Sequence, residues 1–237
     1  MIRTFFVGFS LALAVIFLLP WLLLWSVLTG NPDAMYRMAM RLIRLETRLL
    51  NVQVHVTGIE NIPSRPCVFV ANHASNIDPM VLLPAIPRRV GILVKRELFR
   101  IPIFSAAMRA AQFVPVDRGD RETVGATVAI VVENLRKGLS YLIFSEGTRS
   151  PDGRMRHFKR GALTMAIEAG ASIVPVSVGG THRLLPKGTA MVRSGPATIQ
   201  FGPVTDASLY QMDQRGELLD RVEALVAAGL PSDQQPL

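Results

Sequence analysis

From Phe5 to Leu28 the chain reads FFVGFSLALAVIFLLPWLLLWSVL, twenty-four residues without a charge. As a helix this run would rise about 36 Å, more than the roughly 30 Å of bilayer hydrocarbon. A secretion signal is the competing reading, but its apolar region is usually about 7–15 residues long and ends at a small-x-small cleavage site. Here the run is longer and leads into TGNPD. The expectation is a retained membrane anchor. Pro20, Trp21 and Trp25 leave a second geometry open, a kinked segment lying in the membrane interface.

The next stretch, Asp33 to Leu50, narrows the setting. Arg37, Arg41, Arg44 and Arg48 follow a helical spacing, and Met38, Leu42, Leu45 and Leu49 repeat it one position on. A basic amphipathic helix beside an apolar run reads as a membrane-surface helix. A core helix with a solvated arginine face has the same pattern. The formal net charge of +8 suits nucleic acid or an anionic membrane, and the apolar run favours the membrane over nucleic acid. Because four arginines follow the run and only Arg3 precedes it, the positive-inside rule puts the remainder on the cytoplasmic face of a plasma or inner membrane. The lone cysteine, Cys67, has no partner for an internal disulfide and sits in a strand-like run.

Beyond Leu50, short apolar runs alternate with helical patterns. VQVHV (52–56), CVFVA (67–71), GILV (91–94), QFVPV (112–116), YLIF (141–144) and IVPVSVG (173–179) read as strands. His55 falls on the polar side of the first. Thr123–Lys137, Ala162–Ala169 and Glu217–Ala228 read as helices. MVRSGPATIQFG (191–202) reads as two strands around a turn. The expected organisation is an anchor and basic helix over 1–50, one α/β domain over 51–230, and a loose tail over 231–237. In such a fold, loops at strand ends carry the chemistry.

Three loops stand out. VFVANHASNIDP (68–79) runs from a strand into a loop holding His73 and Asp78. An imidazole ordinarily titrates near pH 6.5, about right for a general base. Asp78, five positions on, is able to turn back and fix its tautomer; equally, His73 caps a polar loop and Asp78 starts a helix. YLIFSEGTRSPDGRM (141–155) carries Glu146, Gly147, Thr148 and Arg149 past a strand, with Arg154, Arg156, Lys159 and Arg160 close behind. A glycine for a tight turn, a hydroxyl and a guanidinium fork suit an anionic ligand. Lys95 and Arg118 each follow a strand in the stretch 94–120. Phosphate-loop, nucleophile-elbow and HExxH patterns are absent, as are paired cysteines, so a covalent serine enzyme and a zinc enzyme are disfavoured.

Together these stretches resemble the 1-acylglycerol-3-phosphate acyltransferase family of glycerolipid acyltransferases. NHASNIDP resembles its His-x4-Asp block, VKREL…FVPVDR its second, FSEGTRSPDG its third and IVPVSVGGTHRLLP its fourth, in family order from Val68 to Pro186. One departure is Ser145, where the family usually has proline. The resemblance implies an α/β domain with a mixed sheet flanked by helices. It also implies acyl transfer from acyl-CoA or acyl-carrier protein to the sn-2 hydroxyl of lysophosphatidic acid. His73 would be the base, Asp78 its orienter, and no acyl-enzyme would form. Arg118, Glu146, Gly147, Thr148 and Arg149 would bind the glycerol phosphate, and Lys95 would assist with phosphate or developing charge. No cofactor or metal is implied beyond the acyl co-substrate. Two alternatives remain: the same chemistry on another lysolipid, such as a lyso-ornithine lipid or lysophosphatidylglycerol, and a non-enzymatic basic membrane adaptor. Oligomeric state, donor type and acyl-chain length stay open.

Overall fold

The computed structural model describes residues 8, 9, 13, 16–117 and 121–236. Two helices open it, α1 (Leu19–Thr29) and α2 (Asp33–Leu49). After them come β1 (Val52–Thr57), β2 (Cys67–Ala71), α3 (Asp78–Leu82), β3 (Val90–Lys95), α4 (Pro102–Ala110), β4 (Val114–Val116) and α5 (Arg121–Arg136). The remainder is β5 (Ser140–Phe144), α6 (Gly161–Ala169), β6 (Ser172–Gly179), α7 (Thr181–Leu184), β7 (Gly195–Phe201), β8 (Thr205–Asp206) and α8 (Arg215–Ala228).

The strands form one mixed sheet in the order β1-β7-β6-β2-β5-β3-β4, with β8 pairing β6. β2, β5, β3, β4 and β6 run parallel, while β7 and β8 run antiparallel to β6. This is the expected α/β class. The five-residue apolar run of β2 is buried throughout because helices cover both faces of the sheet. Cys67, Phe69 and Ala71 face one core with residues of β1, α3 and α4. Val68 and Val70 face the other, with residues of α5, α6 and α8.

Two expectations change. MVRSGPATIQFG yields one strand, β7, rather than two. Both edges of β7 are taken, by β1 and by β6, so no hairpin partner fits beside it. The tail is pinned rather than loose: Gln234 is 1% exposed, its backbone carbonyl accepts from Met155 N at 2.8 Å and its side chain from Gly180 N at 2.7 Å. At the other end, α1 has eleven residues, and no helix of the described residues is long and apolar enough to cross a membrane.

Helices α1 and α2 are packed into the domain. α1 packs on α2 and α4, and α2 packs on α3 and β1. Met35, Tyr36 and Leu50 are buried there, and the Arg89 guanidinium holds Asp33 at 2.7 Å. On the outer side Arg37, Arg41, Arg44 and Arg48 are exposed, and Leu45 and Leu49 are about half exposed beside them. Trp21, Trp25, Val27 and Leu28 of α1 are more exposed still.

Candidate active site

Parallel neighbours end at the same sheet edge, so the loops after β2, β5 and β3 converge there. The loop after β2 brings His73, the turn after β5 brings residues 145–149, and Lys95 closes β3. Ala71 lies opposite Phe144 in register, and Ser145 N donates to Ala71 O at 3.1 Å, extending the β2–β5 pairing past the sheet edge. A proline at 145 would have no N–H to give. The serine therefore adds a bond that the family's usual residue lacks.

His73 and Asp78 do meet. His73 Nδ1 lies 2.7 Å from Asp78 Oδ2, and that oxygen also accepts from the backbone N–H groups of Ala74 and Ser75, each at 2.8 Å. Asp78 is fully buried and begins α3, with Pro79 in its first turn. The residue that starts the helix is thus also the one hydrogen-bonded to the ring. On its face the imidazole stacks on Phe144, with ring centroids 4.4 Å apart and planes 27° from parallel. Below it, the buried Asn72 bridges to β6, donating to Val178 O at 3.0 Å and accepting from Val178 N at 2.8 Å.

A cavity of about 850 Å³ opens from this ring. His73, Lys95, Gly147, Thr148, Arg149 and Lys159 contribute its polar wall. Apart from Asn76, Thr127 and Ser145 the rest is apolar, and much of it comes from α1 and α2 through Leu19, Leu22, Met35, Met40 and Ile43. The Lys95 ammonium reaches Glu97 at 3.2 Å. Gly147 turns the chain at φ 73, and a Cβ there would meet the Lys159 side chain at 2.7 Å. Arg118 lies outside the described residues. Among the described residues no cluster of ligands suits a metal ion.

A model of the family described as Acyltransferase matches residues 53–179, more than half of the chain and the whole of this edge. The chain belongs to the acyltransferase family. Among its relatives, the Arabidopsis thaliana protein named 1-acyl-sn-glycerol-3-phosphate acyltransferase LPAT1, chloroplastic, is 37% identical over 139 residues, 58% of this chain but 39% of that one. The 1-acyl-sn-glycerol-3-phosphate acyltransferase of Pseudomonas aeruginosa is 30% identical over 177 residues, 74% of this chain and 68% of its own length. Among solved structures, the 1-acyl-sn-glycerophosphate (LPA) acyltransferase PlsC of Thermotoga maritima superposes with a TM-score of 0.81. That match is at 27% identity and covers 96% of this chain and 94% of that one.

Within this acyltransferase-family chain, one expected site residue lies apart from the others. Glu146 is not among the residues lining the cavity. It is 4% exposed, and its Oε1 accepts from His73 N at 2.8 Å. Burial pushes its carboxyl up to about 8; the nearby Asp78 charge adds to this, and the His73 and Arg156 backbone N–H groups and the Arg156 charge oppose it. Lys159 had been one of four undistinguished cations after the third motif, and the fold now singles it out on the cavity wall. Arg156 and Arg160 point to solvent, and Arg154 Nη1 donates to Gln235 O at 3.3 Å. Phe144 went unremarked because an aromatic residue ending a buried strand looks like ordinary core.

Proposed function

We propose that this chain transfers a fatty acyl group from acyl-CoA or acyl-carrier protein to the free sn-2 hydroxyl of lysophosphatidic acid, giving phosphatidic acid. The observation that carries the reading is the His73–Asp78 pair, 2.7 Å apart, set into a cavity with cations on one side and apolar walls on the other. The printed names of the relatives support the same acceptor.

In this reaction Asp78 accepts from Nδ1–H, which leaves Nε2 as the base. The acceptor hydroxyl loses its proton to Nε2 as its oxygen attacks the thioester carbonyl carbon. The tetrahedral intermediate then collapses, its C–S bond breaks, and the leaving thiolate takes the proton back from Nε2. No acyl-enzyme forms. Arg149, Thr148 and Lys95, with Arg118, meet the acceptor phosphate, and Lys95 also assists with the charge that develops on the carbonyl oxygen. General-base help of this kind contributes about 10²–10⁴-fold.

The membrane supplies the acceptor. The exposed Trp21, Trp25, Leu45 and Leu49, beside four exposed arginines, support a surface that lies in the headgroup layer. Anionic lipids of the cytoplasmic leaflet match that charge.

The test is transfer from acyl-CoA and acyl-carrier protein to a panel of lysolipids, with His73→Ala and Asp78→Asn assayed beside the wild type. Transfer to lysophosphatidic acid that falls about 10²–10⁴-fold in both variants supports the reading. Transfer that survives His73→Ala removes the base, and preference for a lyso-ornithine lipid removes the phosphate site.

A further inference from the structure

Glu146 presents a difficulty for any phosphate-binding role. A carboxylate repels a phosphate, and this one has left the cavity wall. Its surroundings explain where it went. The backbone N–H groups of residues 73, 74 and 75 follow one another around the catalytic loop. The first donates to Glu146 Oε1 at 2.8 Å, and the next two donate to Asp78 Oδ2 at 2.8 Å each. The His73 carbonyl accepts from Ser150 N at 2.9 Å, so both backbone groups of His73 are held by the segment that follows β5. The ring itself stacks on Phe144, two residues before Glu146.

Resting on the acyl-transfer reading, we propose that Glu146 is a positioning residue that sets the His73–Asp78 pair through the His73 backbone N–H, and that it is not a ligand of the acceptor. The carboxyl acts as an internal clamp between two loops that the sheet merely brings close. Its second oxygen, Oε2, is buried and makes no close hydrogen bond among the described residues, although the Arg156 backbone N–H faces the carboxyl. That suits a carboxyl kept neutral by burial, because two ionised carboxylates side by side in a dry interior would repel. A neutral acid at 146 is closely mimicked by glutamine, whose carbonyl oxygen is able to keep the bond to His73 N. The clamp therefore needs an acceptor atom at this position and no negative charge.

The experiment compares Glu146→Gln and Glu146→Ala with the wild type in lysophosphatidic acid turnover. A second readout is the low-field proton resonance of the His73 Nδ1–H. The expected result is Glu146→Gln within about threefold of wild type in kcat and KM. Glu146→Ala should fall about 10–100-fold in kcat with acceptor KM within about threefold, and should lose the resonance that the glutamine variant keeps. An acceptor KM raised tenfold or more in Glu146→Gln would make Glu146 a substrate ligand and overturn the proposal. So would an alanine variant with unchanged kcat and an intact resonance. Because glutamine is isosteric, its arm stands even if the alanine variant does not fold. A wild type that transfers nothing sinks the acyl-transfer reading instead, and the resonance in the two variants still decides whether Glu146 positions the ring.

Discussion

Phe144 lies almost flat against the His73 imidazole, 4.4 Å between ring centres and 27° between planes. The aspartate fixes one edge of the ring and the phenyl group fixes its face. Two restraints on one small side chain leave it little rotation, which is what a base must have if its free nitrogen is to meet a hydroxyl repeatedly in the same place.

Phe144→Ala therefore lowers kcat by about 10–100-fold, with a smaller effect on acceptor KM, because a ring displaced by about 1 Å is enough to cost that much. Steady-state kinetics with lysophosphatidic acid check this. Equal losses in kcat and in thermal stability would show that the phenyl group acts only as core.

Lys159 projects to the cavity beside Gly147, and among the described residues nothing pairs with its charge. A phosphomonoester carries more negative charge than a phosphodiester, so an added cation favours the former. Lys159→Met should raise KM for lysophosphatidic acid about tenfold, roughly one charge-assisted hydrogen bond, and change KM for lysophosphatidylglycerol less. Equal losses for both acceptors would place the ammonium elsewhere in the reaction.

Glu46 is a buried carboxyl on α2, well apart from the catalytic loop in sequence and absent from the cavity wall; burial raises it to about 7. The sign follows from linkage. Below about pH 4.5 the group is protonated in both folded and unfolded chains and has no effect. As pH rises towards 7 the unfolded chain ionises first, so stability falls, and above 7 the loss is complete. Glu46→Gln should stabilise the protein at pH 8 by about 1–3 kcal/mol and leave it unchanged at pH 4. Urea unfolding at the two pH values measures the difference.

The outer faces of α1 and α2 predict vesicle binding with two separable parts. Changing Arg37, Arg41, Arg44 and Arg48 to glutamate should weaken binding to anionic vesicles about tenfold or more at low salt, each basic residue near a charged surface contributing about 1 kcal/mol. Changing Trp21 and Trp25 to serine should weaken binding to neutral vesicles as well. Co-sedimentation with vesicles of each composition separates the two, and partitioning unchanged at low salt removes the arginines from the membrane surface.

Much of this was legible in the residues. Buried strands announced themselves as short apolar runs, and the alternation with helices gave a layered α/β fold. The five-residue spacing of His73 and Asp78 allowed both a hydrogen-bonded pair and a helix start, and the structure contains both. What stayed hidden were directions and long-range partners. A turn such as Ser-Glu-Gly-Thr-Arg does not disclose which side chain faces inward, so Glu146 was grouped with Thr148 and Arg149 although it bonds His73. Gln234 could not be paired with Gly180 and Met155 because its polarity suits a free tail equally well. The segment 191–194 has strand-like valine and arginine, but both edges of the β7 strand that follows it are already held by β1 and β6.

The cavity wall is shared between the sheet and the two N-terminal helices, and those same helices turn Trp21, Trp25, Leu45 and Leu49 outward. One pair of helices thus has an oily side towards the cavity and another towards the surroundings, and under the proposed function that makes it a threshold and not a fence. A single-tailed lipid would step sideways from its leaflet to the imidazole with its tail kept out of water, and the two-tailed product would leave by the same doorway.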